Sequence, residues 1–213
     1  MASPKDLETL QREVCQNQIR MLTEGIHADI TFEAQDGTVK AHRCLLATIS
    51  PVFAAMFSND MVEQISSVIK LPDISSEALR TFLNFVYSGS DGSSGARLDE
   101  HWFEVLGACH KYCVTSDTLK AICAKSMEKT LNFKNCWLSL EKISILDPAR
   151  VQAGPFRICL DYIIKNFDEV VKEESFLAVA MREPALIVDV VRAAREASKP
   201  VQQPQVMPRY PRY

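Results

Sequence analysis

Every segment of this sequence with the character of a β-strand lies before residue 72, and beyond it apolar residues recur only at helical spacing. Residues 29–32 (DITF) and 38–41 (TVKA) flank Asp36-Gly37, a turn signal that reads as a hairpin. A third strand is expected over 67–71, closed by Pro72. Between them lie a short helical stretch over 43–49 and, started by Ser50-Pro51, another carrying Val52, Phe53, Met56 and Phe57. From Ser75 or Ser76 with Glu77 a helix opens, with Leu79, Phe82, Leu83 and Val86 on one face, and Gly89 ends it. Further helices are expected over 99–110, 116–131, 135–146, 155–167, near 174–181 and over 184–197, with breaks at Asp147-Pro148 and Gly154-Pro155. The fold class is therefore α+β, a short sheet flanked by helices and followed by an all-helical remainder.

The amino end reads as a helix capped by Ser3, with Pro4 in its first turn and Asp6 and Glu8 suited to the positive helix end. Leu7, Leu10, Val14, Asn17 and Met21 are spaced 3, 4, 3, 4, a heptad seam with one polar member. Barely two heptads cannot support a free coiled coil, which needs about three or four. This stripe must pack either on its own domain or on a partner chain. Residues 88–96 (SGSDGSSGA) are expected to be a flexible insert. The last segment, 198–213, is proline-rich with a charge of +3 against −6 for the rest, and is expected to be extended and disordered. Its end, Pro208-Arg209-Tyr210-Pro211-Arg212-Tyr213, reads as a solvated terminus or a short peptide ligand.

Composition narrows the function classes. The 213 residues suit one large domain or two small ones, and 47% apolar with 24% charged is ordinary for a water-soluble chain. A net charge of −3 offers no basic surplus for nucleic acid, and no apolar run reaches the 18 or so residues of a membrane span. The opening MASPKDLETLQREV is polar where a secretory signal would be greasy, so a cytoplasmic or nuclear location is expected. The seven cysteines are an odd number, mostly inside apolar stretches, and read as reduced core residues. Cys109-His110-Lys111-Tyr112-Cys113 with Cys123 lacks the paired C-x-x-C knuckles of a zinc site, and on a helix Cys109 and Cys113 would share the core face. No cysteine has an evident orienting partner or oxyanion loop, and no G-x-x-x-x-G-K or G-x-G-x-x-G cradle is present. No catalytic residue, metal or cofactor is expected, and the chain does not read as an enzyme.

Five ordered blocks carry a resemblance. They are Ala28-Asp29-Ile30-Thr31-Phe32; Ala41-His42-Arg43-Cys44-Leu45-Leu46-Ala47; Ser50-Pro51-Val52-Phe53-Ala54-Ala55-Met56-Phe57; Ile69-Lys70-Leu71-Pro72-Asp73-Ile74; and Phe82-Leu83-Asn84-Phe85-Val86-Tyr87-Ser88-Gly89. With Gly107-Ala108-Cys109-His110-Lys111-Tyr112 near an A-x-K-Y position, the stretch 6–131 resembles the BTB (POZ) domain. Residues 132–197 are similar to the short BACK-like helical extension of BTB ubiquitin-ligase adaptors. The whole plan resembles small plant BTB/POZ proteins and the BTB half of speckle-type MATH–BTB proteins. The domains implied are 1–131, 132–197 and the tail 198–213. No kelch repeat, zinc finger or MATH domain falls within these residues.

The resemblance implies a homodimer formed through the first helix, with Leu7, Leu10, Val14 and Met21 at the interface and Asn17, if buried there, setting the register. Members that bind cullin carry a hydrophobic–x–Glu motif after the M-F block, which places Met61 and Glu63, with Phe57, at a cullin-3 contact. A thioether can fill an apolar groove on a partner helix and a carboxylate can bond near a helix end. Gln64 departs from the acidic residue or serine that relatives often have there. Asp29 and Arg43 correspond to paired charges near the dimer pocket, or serve as a fold device. His42 reads as a satisfied core histidine. The implied function is a substrate-specific adaptor of a cullin-3 type ubiquitin ligase, binding itself, the cullin-3 scaffold and an unknown protein substrate. The alternative is a dimerisation scaffold or transcriptional regulator that never meets a cullin.

Overall fold

The computed structural model describes residues 3–58, 66–89, 95–114, 117–146 and 154–197. Helix α1 (Pro4–Glu24) leads into a hairpin of β1 (Ile30–Glu33) and β2 (Thr38–Ala41). Then follow α2 (Arg43–Ile49), α3 (Pro51–Met56), β3 (Val68–Lys70), α4 (Ser76–Ser88), α5 (Gly95–Lys111) and α6 (Asp117–Thr130). The remainder is α7 (Cys136–Leu146), α8 (Gly154–Lys165), α9 (Phe167–Val170), α10 (Glu174–Arg182) and α11 (Pro184–Ala197). The chain is thus α+β, as its periodicities require.

Among the described residues the sheet has the order β2-β1-β3, antiparallel on one side of β1 and parallel on the other. Phe32 lies opposite Val39 and Ile69, a register that turns Ile30, Phe32, Val39, Ala41 and Ile69 to one buried face. Alternation does this without help, because successive strand side chains point to opposite faces. Asp36-Gly37 forms the expected turn, yet neither residue takes a positive φ. Instead the Asp36 carboxylate accepts the Ser76 N–H at 2.6 Å, tying the hairpin to the start of α4 and holding its own pKa below the ordinary value.

Helix ends are written in short polar side chains. Ser3 and Asp6 form a reciprocal capping box on α1, with bonds of 3.2 and 2.9 Å. Gly25 closes that helix at φ 64°, where an added side chain would also meet Lys40 at 3.3 Å. Ser50 and Ser75 cap α3 and α4. Two boundaries differ from expectation. Helix α5 begins at Gly95, inside the stretch expected to be a flexible insert, because Leu98 and Trp102 one turn apart are buried and anchor the first turn despite its poor propensity. The expected helix over 155–167 is two helices, since Asn166 leaves the helical conformation and restarts the chain as α9.

The apolar core runs without interruption from Leu22 to Val190, across the 131/132 position. In the helical part, Trp137 is fully buried and its indole N–H donates to the Val170 carbonyl at 2.9 Å. Arg182 on α10 grips Glu141 on α7 through both carboxylate oxygens, at 2.8 and 2.7 Å. Cys109, Cys123, Cys136 and Cys159 are core residues, whereas Cys44 and Cys113 are exposed. Cys113 does not share the face of Cys109, because α5 ends at Lys111 and Cys113 sits beyond it at φ 48°. No helix among the described residues is long and apolar enough to cross a membrane.

Candidate protein-interaction site

The stripe on α1 divides in two. Its carboxyl-terminal part packs on the molecule itself: Leu22 is buried, Met21 is half-buried, and the Cys15 thiol donates to the Ser88 carbonyl at the end of α4 at 3.4 Å. Leu7, Leu10 and Val14 are 52, 56 and 49% exposed, and Asn17 is exposed with them. Their own domain therefore does not cover these three apolar side chains. Burying each would contribute about 1 kcal/mol or more at roughly 25 cal/mol per Å².

The family resemblance pairs Asp29 with Arg43, and the structure brings them together through the backbone. One Asp29 carboxylate oxygen accepts the Arg43 N–H at 2.9 Å, filling an open donor at the start of α2. The Arg43 guanidinium donates to the Ser66 carbonyl and lies 5.3 Å from the centre of the Phe57 ring. Phe57 lies parallel to Phe53, with centroids 5.9 Å apart, and Phe53 stacks on Tyr112 at 4.4 Å. Ser50 spans the same corner: its hydroxyl caps α3 through the Phe53 N–H and donates to the Tyr112 carbonyl.

His42, the residue before Arg43, is buried with every polar group paired. Its Nε2 lies 2.7 Å from the Ile26 carbonyl, which can only accept, so Nε2 carries the proton. Nδ1 then accepts the Tyr87 O–H at 2.8 Å, and the Tyr87 oxygen accepts the His42 backbone N–H at 2.8 Å. Burial pushes the Tyr87 phenol well above its ordinary pKa. A histidine with both ring nitrogens occupied is a structural joint between the end of α1, the start of α2 and α4.

Met61 and Glu63 lie outside the described residues. Their flanks are described. Phe57 precedes them, and Ser66 follows, its hydroxyl bonded to the Val68 carbonyl at 2.7 Å and N–H at 3.1 Å as β3 begins. Beside these flanks a cavity of about 510 Å³ opens, with Val52, Met56, Val68 and Leu71 along its walls. Lys111 at its margin is held by Asp73 at 2.7 Å, and that contact keeps the Asp73 carboxyl below its ordinary range. Such a place can seat another protein's side chains. Reactive groups are a different matter: burial pushes the Cys109 and Cys123 thiols up to about 12, where they are neither nucleophiles nor ready ligands. No group of three or more His, Cys, Asp or Glu could hold a metal among the described residues.

Sequence reading missed Ser66 and Tyr87 as partners. Tyr87 had a usable signal, being four residues after Leu83 on the buried face of α4 with a hydroxyl in need of a partner. Ser66 had none, because it acts through its carbonyl.

Comparison with known proteins identifies relatives of this chain. Residues 19–131 match the model of the BTB/POZ domain. The chain is 32% identical to BTB/POZ domain-containing protein At1g21780 of Arabidopsis thaliana, over 85% of this chain and 53% of the relative. It is 33% identical to At1g55760 of the same plant, over 68 and 42% respectively. TD and POZ domain-containing protein 1 of Mus musculus is 27% identical over 79% of this chain and 44% of that protein. The chain thus spans about half the length of these relatives. Among solved structures, the BTB domain of zebrafish PATZ1 aligns with a TM-score of 0.42 at 20% identity, covering 55% of this chain and 90% of that one.

Proposed function

The chain belongs to the BTB/POZ domain family, whose domains commonly self-associate and bind other proteins, and on that footing we propose that it is a dimeric, non-enzymatic substrate adaptor of a cullin-3 type ubiquitin ligase. The observation that carries this reading is the uncovered stripe Leu7, Leu10 and Val14. Two copies meeting along it bury apolar side chains that neither copy covers alone. The dimer then offers the segment after Phe57 twice, with Met61 filling an apolar groove of the cullin and Glu63 accepting backbone N–H groups at a helix start. The apolar cavity beside Met56 and Val68 supplies a second place for cullin side chains. Ubiquitin transfer takes place on the conjugating enzyme that the cullin recruits, and the target is a protein held elsewhere on the adaptor.

Calorimetric titration with the amino-terminal domain of cullin-3 tests this. The wild type binds, and the double variant Met61→Asp, Glu63→Lys binds at least about tenfold more weakly, the loss expected of central contact residues. A wild type that ignores cullin-3 assigns the chain to the dimerisation scaffolds or transcriptional regulators. Equal binding by both proteins removes Met61 and Glu63 from the contact.

A further inference from the structure

We propose that the outer edge of β3 takes an extended, acidic segment of a partner protein as an added strand of the sheet. The edge stands on the structure itself, and only the competition of that segment with cullin rests on the adaptor reading.

β3 ends the sheet order β2-β1-β3, so one of its sides has no strand beside it among the described residues. Its pairing with β1 fixes which groups face outward. The Thr31 N–H donates to the Ser67 carbonyl and the Leu71 N–H to the Glu33 carbonyl, both at 2.8 Å. In a parallel ladder this leaves Ile69 to serve β1 and turns the main-chain groups of Val68 and Lys70 away from it. These two residues differ in what meets them. Ser66 occupies Val68, its hydroxyl donating to the carbonyl at 2.7 Å and accepting the N–H at 3.1 Å. The Lys70 N–H and carbonyl bond to nothing among the described residues. A donor and an acceptor side by side on an open edge are what an extended chain pairs with.

The surroundings state the chemistry of that chain. The cavity of about 510 Å³ follows this edge, with Ser66 and residues 68–71 on one side and Val52 and Met56 of α3 on the other. Ile69 is buried while Val68 and Lys70 are exposed, so an added strand turns alternate side chains into the cavity and sets the others beside Lys70. Lys70 makes no ion pair among the described residues, even with Glu33 opposite it on β1. The segment therefore carries an acidic residue beside Lys70 with apolar residues flanking it. A second copy of the chain does not fit. With Val68 taken by Ser66, two such edges meet only at Lys70, with like charges directly opposite. An exposed lysine on a short edge strand guards against self-pairing in this way, and the same charge selects an acidic partner. In the adaptor reading the cavity also receives cullin side chains, so a strand seated there and the cullin exclude each other.

The test uses the full chain and a short fluorescein-labelled peptide of alternating glutamate and isoleucine, beside a lysine–isoleucine counterpart. Lys70→Pro removes the outward N–H and sets a ring on the edge, leaving the bonds of Ile69 and Leu71 to β1 in place. Lys70→Glu keeps the main chain and reverses the charge. In anisotropy titrations the wild type binds the glutamate peptide at least about tenfold more tightly than the lysine peptide. Lys70→Pro weakens the glutamate peptide by about tenfold, the loss of one main-chain hydrogen bond and access to the edge. Lys70→Glu transfers the preference to the lysine peptide. Binding of the glutamate peptide to the wild type slows hydrogen exchange at the Lys70 amide. A wild type that binds neither peptide, or a folded Lys70→Pro protein that binds as the wild type does, overturns the proposal. Should Lys70→Pro fail to fold, Lys70→Glu decides, and an unchanged preference overturns it. Addition of the cullin-3 amino-terminal domain separates the two readings. Release of the peptide supports the shared cavity, and cullin bound together with the peptide overturns the competition. Peptide binding with no cullin binding by any version keeps the edge and removes the adaptor reading.

Discussion

His42 shows how far a single residue can be read and where reading stops. Sequence logic makes it a core histidine, and it is one, with both ring nitrogens and its backbone N–H paired. The identity of its partner required the fold, because Tyr87 lies 45 positions away and is brought close only when α4 packs beside the start of α2. Removing that hydroxyl leaves the His42 N–H and Nδ1 without partners in a buried place. Tyr87→Phe is therefore expected to lower the unfolding free energy by about 1–3 kcal/mol, the cost of orphaned buried polar groups. Urea denaturation measures this, and a midpoint unchanged from wild type contradicts it. Arg43 is the opposite case. The family resemblance suggested a charge pair with Asp29, but a side chain that works on a carbonyl and a ring leaves no pattern along the sequence.

At the scale of elements, helix starts were legible because their caps are local: Ser3 with Asp6, Ser50 and Ser75 each bond within three residues. The stop of α4 was legible where glycine marks it, at Gly89. The end of α5, expected at 110 and found at Lys111, has no glycine to mark it. There the Val114 N–H bonds the Cys109 carbonyl at 2.9 Å, the closing bond of a Schellman turn, and Cys113 occupies the left-handed position that glycine usually fills. A side chain there costs roughly 1–2 kcal/mol, partly offset by the greater freedom that glycine gives the unfolded chain. Because the Cys113 side chain is exposed, little packing is lost by removing it. Cys113→Gly is accordingly expected to be about 0.5–1 kcal/mol more stable than wild type by chemical denaturation. A variant less stable than wild type contradicts this account of the turn.

For the whole molecule, the change from strand to helix period near residue 72 was enough to read the α+β class, since sheet and helices each need a cover and find it in the other. The positions of Met61 and Glu63 came from resemblance alone, because two residues carry no physical signature of a partner. What neither period nor motif decided was whether the first helix turns its stripe inward. The structure divides the stripe, seating Met21 and Leu22 on the molecule while leaving Leu7, Leu10 and Val14 in solvent. That division is what makes a second copy necessary to the account. Multi-angle light scattering of purified protein at micromolar concentration tests it most directly. The wild type is expected at twice the chain mass, and Leu10→Glu, with unchanged far-ultraviolet circular dichroism, at the mass of one chain. A folded wild type that stays at one chain mass would contradict the account at its centre.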